Sequence, residues 1–164
     1  MKKIGILSDT HGFIHPGMSD FFKDCDEIWH AGDIGNIETA DELSKHKPFR
    51  AVYGNIDDTK VRIEYPEYEL FNCETVKVLL IHIGGYPGRY SQKARQLIQQ
   101  HQPQLFISGH SHILKVMPDK KYELLHINPG AAGKSGLHKK ITMVRFTIDG
   151  DQIKDLDVFE ADRK

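Results

Sequence analysis

The sequence predicts an α/β fold, and three observations carry that prediction. Short apolar or β-branched runs alternate with segments of helical apolar periodicity over most of residues 3–107. After His112 the helical pattern stops and two pairs of strand-like runs follow, each joined by turn residues, so the remainder reads as antiparallel hairpins. Five of the strand patterns also end in a small group containing Asp, Asn or His. Such an arrangement is expected where strand and helix units gather their loops beyond the carboxyl ends of the strands.

Residues 3–8 contain Ile4, Ile6 and Leu7 and read as a first strand, which stops at Asp9-Thr10-His11-Gly12. Pro16 then opens a helix whose apolar face is Met18, Phe21, Phe22 and Cys25, spaced i, i+3, i+4 and i+7. A second strand over residues 26–30, with Ile28 and Trp29, ends at Ala31-Gly32-Asp33, and a weaker helical pattern covers residues 37–45. The third strand, residues 49–53, halts at Gly54-Asn55-Ile56-Asp57, and the polar stretch 58–65 reads as irregular chain. An edge strand is expected over residues 68–71, and the β-branched and apolar run 76–81 is the clearest strand, ending at His82. Residues 84–89 hold three glycines and read as a loop; Tyr90, Ala94, Leu97 and Ile98 then mark a helix to about Gln102. The strand Leu105-Phe106-Ile107 runs into Ser108-Gly109-His110-Ser111-His112. Beyond it, residues 113–117 and 122–127 pair around 118–121, Asn128-Pro129-Gly130 starts a turn-rich loop, and 141–148 with 152–159 form a hairpin around Asp149-Gly150.

A length of 164 residues fits one domain spanning 1–164, large enough to bury a sizeable core. No apolar run approaches the roughly 18 residues of a membrane span, and Met1-Lys2-Lys3-Ile4 lacks the apolar region of a signal peptide, so a cytoplasmic protein is expected. Cys25 and Cys73 are too few for a disulfide framework or a thiolate zinc site and read as buried, reduced thiols. A net charge of -1 supplies no broad attraction to long nucleic acid or to an anionic membrane. An apolar helix face is equally consistent with core and with a homo-oligomer contact. The compositional feature that asks for a function is the ten histidines.

Their positions carry the chemistry. His110 and His112 stand at i and i+2 in an extended segment and face the same way. With Asp9, His11, Asp33, Asn55 and His82 at the other strand ends, seven N and O donors are expected to meet, more than one ion would use. Two divalent transition-metal ions sharing a carboxylate fit the count. The absence of thiolate points to ions of intermediate hardness, manganese first with nickel, iron or zinc as the other candidates, and the number of imidazoles disfavours magnesium and calcium. Two such ions about 3.5–4 Å apart acidify a bridging water and clamp phosphoryl oxygens, so phosphoester hydrolysis is the reaction they suit.

Asp9-Thr10-His11, Gly32-Asp33, Gly54-Asn55, His82 and Gly109-His110-Ser111-His112 resemble, in order and separation, the five motifs of the calcineurin-like metallophosphoesterases. The resemblance is to their small single-domain bacterial and archaeal phosphodiesterase branch, and it extends to the Asn128-Pro129-Gly130 turn. It implies a two-sheet β-sandwich flanked by helices, a four-layer αββα arrangement, with a dinuclear centre at one edge. Asp9, His11 and His112 would hold the first ion, Asn55, His82 and His110 the second, and Asp33 would bridge them, with a hydroxide shared between the ions as the nucleophile. Gly32 lets the backbone approach closely at the bridge, and the neutral Asn55 limits negative charge. His30, three residues before Asp33, is a candidate to hydrogen-bond a ligand or a substrate oxygen.

Two departures from the family pattern shape the expected substrate. Where many members carry a leaving-group histidine after the motif asparagine, this chain has Ile56, which cannot protonate anything. A small phosphodiester is therefore expected rather than a monoester. After His82 the chain runs Ile83-Gly84-Gly85-Tyr86-Pro87-Gly88-Arg89, and Tyr86 and Arg89 are candidates for contact with a phosphate or a nucleobase. Asp57 reads as a supporting or helix-capping carboxylate. His15, His46, His101, His126 and His138 are assigned to surface or structural roles, with His126 and His138 able to enter the cleft. The competing readings are a non-catalytic interaction scaffold of the same fold, as in a retromer subunit, and a phosphomonoesterase or nucleotidase.

Overall fold

Side-chain alternation along β1 (Lys2–Leu7) decides how the molecule is layered: Ile4 and Ile6 enter the central core while Leu7 joins a cluster on the opposite face. In this computed structural model, which describes residues 1–163, Gly5 gives the aromatic ring of Phe22 its seat, since a Cβ there would lie 2.5 Å from a ring carbon. The following α1 (Met18–Phe21) is a single turn, shorter than the periodicity implies, and Gly17 supplies no side-chain cap at its start. Met18, Phe22 and Cys25 are nevertheless buried on the expected face.

β2 (Glu27–His30) pairs parallel with β1, and α2 (Ile37–His46) begins where the Asn36 side chain accepts the Thr39 N–H at 2.8 Å. β3 (Phe49–Ala51) is two residues shorter than predicted. The stretch expected to be irregular contains a helix, α3 (Thr59–Glu64), capped by Asp58, whose carboxylate accepts the Val61 N–H at 3.2 Å. Among its six residues only Val61 is buried, so there is too little apolar periodicity to announce it.

β4 (Tyr68–Cys73) is an edge strand antiparallel to β5 (Val76–Ile81), which sends Val76, Val78 and Leu80 inward and Leu79 and Ile81 outward. The expected loop is folded into a small hairpin of β6 (Gly85–Tyr86) and β7 (Arg89–Tyr90) turning at Pro87-Gly88. Tyr90 consequently lies outside the helix that it was expected to begin; α4 (Gln92–His101) starts after Ser91, whose hydroxyl accepts the Ala94 N–H at 3.1 Å. β8 (Leu105–Ile107) follows, then β9 (Leu114–Asp119) and β10 (Leu124–Pro129). Pro118 lies within β9 rather than in its turn, which an edge strand tolerates. β10 is antiparallel to β9 but parallel to β8, so this portion is mixed rather than antiparallel throughout. β11 (Lys140–Asp149) and β12 (Gln152–Asp162) form the last hairpin.

The strands make two five-stranded sheets, ordered β12-β11-β1-β2-β3 and β4-β5-β8-β10-β9. Their inner faces meet in a core that includes Ile4, Trp29, Val78, Ile107, Ile127 and Phe146. The outer face of the first sheet carries α1 and α2 through Met18 and Leu43; that of the second carries α4 through Ala94, Leu97 and Ile98. This is the four-layer αββα sandwich that the motifs implied. Cys25 and Cys73 are free and buried, and burial pushes both thiols up, Cys73 to about 11. Among the described residues no helix is long and apolar enough to cross a membrane.

Candidate metal centre

β1, β2 and β3 in one sheet and β5 and β8 in the other end at the same edge of the sandwich, where their loops are stitched together by backbone hydrogen bonds. Asp9 N–H donates to Gly32, His11 N–H to Asp33 and Gly109 N–H to His82, at 2.9, 3.1 and 3.0 Å. Asp9, His11, Asp33, His110 and His112 all have φ between 47° and 73°. The left-handed region costs a residue bearing a Cβ roughly 1–2 kcal/mol, so its use at five strand-end positions turns these side chains back over the sheet edge. Close approach is provided by glycines. A Cβ on Gly54 would overlap the Asp33 carboxylate, and one on Gly32, itself at φ 100°, would stand 2.7 Å from the His82 side chain.

The donors fall into two sets, Asp9 with His11 and His112, and Asp33 with His82 and His110. In the first, Asp9 Oδ1 lies 3.1 Å from His112 Nε2 and 3.9 Å from His11 Nε2. In the second, Asp33 Oδ2 lies 3.3 Å from His82 Nε2, and Asn55 Oδ1 lies 3.0 Å from His82 Nε2 and 3.1 Å from His110 Nδ1. Asp33 Oδ2 is also 3.5 Å from His11 Nε2, so this one oxygen faces both sets. All seven side chains singled out at strand ends are thus brought together.

Hydrogen bonds from outside the cluster orient the donors. Asp9 Oδ2 accepts from the Ser8 hydroxyl at 2.6 Å and from His110 N–H at 3.1 Å, leaving Oδ1 turned to the imidazoles. Asp33 Oδ1 accepts from Ile56 N–H at 3.0 Å, leaving Oδ2 free. His82 Nδ1–H donates to the Ala31 carbonyl at 2.7 Å, which presents its Nε2 lone pair. Asp57 accepts from the N–H groups of Ile34, Gly35 and Gly54 at 3.1, 2.9 and 2.8 Å. It therefore ties the Asp33 and Asn55 loops together, and the cap of α3 falls to its neighbour Asp58. Asn128 does the same for the histidine loop: its amide donates to Gly109 O and Ser111 Oγ, both at 3.1 Å.

Burial pushes the Asp9 carboxyl up, but the facing imidazoles of His11, His112 and His82 and the hydrogen bond from Ser8 outweigh it and hold Asp9 well below the usual range. Asp33 is lowered in the same way, burial being opposed by His82 and the Ile56 N–H. His11 is raised by the Asp9 carboxylate that faces it; His82 is raised because Asp33 and Asp9 overcome its burial. Among the described residues Asp9 Oδ1 and His11 Nε2 are buried without a hydrogen-bond partner. Two orphaned atoms of ligand type, inside a set of carboxylates, imidazoles and one amide with no thiolate, are what a pair of divalent cations would satisfy.

Three placements refine the sequence reading. His30 is fully buried, with Nε2 3.0 Å from the Thr10 hydroxyl and Nδ1 accepting the Gly32 N–H at 3.0 Å. Both ring nitrogens are spent bracing loops, so His30 reaches neither a ligand nor a substrate oxygen. Tyr86 and Arg89 sit on the β6–β7 hairpin, near His110 but outside the cluster. His138, assigned by default to a surface or structural role but able to enter the cleft, approaches His112, with their Nδ1 atoms 3.3 Å apart and His138 Nε2 2.7 Å from the Gly133 carbonyl. No spacing rule points to it, because it comes from the loop before β11.

A family model for the calcineurin-like phosphoesterase superfamily domain matches residues 1–151. A probable metallophosphoesterase of Methanothermobacter thermautotrophicus is 33% identical over 157 residues, covering 92% of this chain and 88% of the relative. A structurally and functionally characterised archaeal phosphodiesterase superposes with a TM-score of 0.72 at 20% identity, over 96% of this chain and 99% of its own. Vps29 from Entamoeba histolytica, complexed with zinc, gives a TM-score of 0.72 at 17% identity and 99% of both chains. The two structural likenesses bear on the fold, and both support the layered sandwich.

Proposed function

This chain belongs to the calcineurin-like phosphoesterase superfamily, and from that membership we propose that it is a metal-dependent phosphodiesterase. The observation that carries the reading is Asp33 Oδ2, placed 3.5 Å from His11 and 3.3 Å from His82, so that one carboxylate oxygen serves both donor sets. Asp9, His11 and His112 would hold one ion, Asn55, His82 and His110 the other, with manganese first among the candidates. When bound, two divalent ions acidify a water and neutralise charge on phosphoryl oxygens.

The chain's own residues set what the site accepts. Ile56 stands 45% exposed beside Asn55 and offers no proton, so the leaving oxygen departs without a general acid from that position. A diester with a stabilised leaving group meets that condition better than an alkyl monoester. His30 has no free nitrogen to supply the missing proton. The likeness to an archaeal phosphodiesterase supports the same choice.

The test is to strip the protein with chelator, reload it separately with Mn²⁺, Ni²⁺, Fe²⁺ and Zn²⁺, and compare bis-p-nitrophenyl phosphate with p-nitrophenyl phosphate. Uptake of two equivalents with faster diester turnover is expected. Failure to take up metal overturns the centre, and full loading without turnover of either ester moves the chain to the scaffold reading.

A further inference from the structure

Beside His110, the outer face of the second sheet holds a cavity of about 240 Å³ walled by Ile83, Tyr86, Tyr90, Ile113, Lys115 and His126. It lies below the roughly 300–1,000 Å³ of sites for drug-sized ligands, which suits one flat ring system. Its entrance is apolar: Ile83 and Ile113, which directly follow His82 and His112, are 45% and 60% exposed. Tyr86 contributes an aromatic wall, with Lys115 Nζ 4.0 Å from the ring centroid.

His126 is the group that identifies an occupant. It is 1% exposed and stacked on Phe106, with ring centroids 5.0 Å apart and planes at 28°. Its Nδ1 lies 3.1 Å from the Phe106 carbonyl, which can only accept, so Nδ1 carries the hydrogen and Nε2 keeps a lone pair. That Nε2 has no partner among the described residues. Burial lowers His126 to about 4, so the ring is neutral near pH 7. A buried acceptor without a partner, in the wall of a cavity whose surface is mostly apolar, favours a ligand that brings an N–H and a flat face.

We propose that this cavity receives one ester arm of the substrate, a planar aromatic group with an N–H donor such as the amino edge of a nucleobase, held against Tyr86 and bonded to His126 Nε2. The link to an ester rests on the phosphodiesterase reading, because His110 belongs to both the cavity wall and the second donor set. The affinity for the ring does not.

The experiment therefore uses metal-free protein. Adenosine and purine riboside, which differ by the amino group, are titrated while the ¹⁵N resonances of His126 are followed by NMR. Adenosine is expected to bind about two- to tenfold more tightly and to shift Nε2, the range expected for one net hydrogen bond. His126→Phe, which keeps a ring on Phe106, should remove the difference, and Tyr86→Ala, on the exposed hairpin, should weaken both ligands. Equal binding of the two, or shifts confined to other residues, overturns the proposal. Discrimination in metal-free protein that never turns over a diester when loaded would leave this subsite standing and remove the phosphodiesterase; turnover of bis-p-nitrophenyl phosphate without discrimination would do the reverse.

Discussion

Replacing His138 by alanine is expected to weaken the Asp9, His11 and His112 set by about tenfold in metal affinity, the lower end of the ~10- to 100-fold range for an orienting partner. The Gly133 carbonyl can only accept, so His138 Nε2 carries a hydrogen across the 2.7 Å contact and its Nδ1 keeps a lone pair. That lone pair accepts from His112 Nδ1–H at 3.3 Å, which leaves His112 Nε2 unprotonated and directed at the same space as Asp9 Oδ1, 3.1 Å away. Two consecutive hydrogen bonds thus select the His112 tautomer that can bind a cation. The second is long and half-buried, which places the loss near ~1.4 kcal/mol rather than twice that. Calorimetric titration of chelator-stripped protein with Mn²⁺ should show the first set weakened and the second retained. His138→Gln, whose carbonyl can accept from His112 and whose amide can donate to Gly133, should recover most of the affinity. Unchanged affinity in His138→Ala, or equal weakening of both sets, refutes the relay.

Three further outcomes follow from the same contacts. Asp33→Ala should lose metal and diester turnover together, read by elemental analysis and a bis-p-nitrophenyl phosphate assay, and a variant with full turnover contradicts the shared carboxylate. Ile56→His restores a proton donor beside Asn55 and should raise monoester relative to diester hydrolysis, within the ~10²- to 10⁴-fold that general acid catalysis supplies; an unchanged ratio discards the leaving-group argument. Burial holds His30 neutral down to about 3 while an unfolded histidine titrates near 6.5. The unfolded chain then binds a proton that the fold refuses, so stability present above pH 6.5 is lost as pH falls towards 3, about 2 kcal/mol of it by pH 5. Urea midpoints of metal-free protein at pH 7 and pH 5 should separate more for the parent chain than for His30→Gln. His11 and His82, raised in the fold, act with the opposite sign in both proteins and cancel in the comparison.

The site was legible in the sequence to the extent that its residues stand where strands stop. Short apolar or β-branched runs locate β1, β5 and β8, and the first polar residues after each are forced to the same edge by the parallel connections. What the pattern misjudged depends on contacts distant in the chain. His30 has the position of a ligand, one strand end from Asp33, but its nitrogens are captured by Thr10 and Gly32 once β1 and β2 lie side by side. His138 looks like one more loop histidine until the loop before β11 closes on Gly133. α3 left only Asp58 as a signal, a capping residue before a helix too short to show a period. The β6–β7 hairpin announced itself only by Pro87-Gly88.

The backbone at the site explains why ligand identity and ligand geometry are separate problems. A motif such as Gly109-His110-Ser111-His112 names donors, yet the extended segment expected there would send both histidines to one face, whereas His110 and His112 join different donor sets. At φ 73° and 63° His110 and His112 leave the extended region, and Asp9, His11 and Asp33 do so on the other loops. Nothing in a histidine or an aspartate compels such a conformation, although both tolerate it better than bulkier residues. It is held by partners that the motif does not contain: the Asp57 carboxylate on three N–H groups, the Asn128 amide on Gly109 and Ser111, and Gly133 N–H on the Asp9 carbonyl at 3.1 Å. Asp57 stands 24 positions after Asp33, Asn128 16 after His112 and Gly133 124 after Asp9, and these supports act before any cation arrives. The donors are thus positioned by the protein, and the cost of crowding Asp9 and Asp33 among imidazoles is borne by the two-sheet core beneath them.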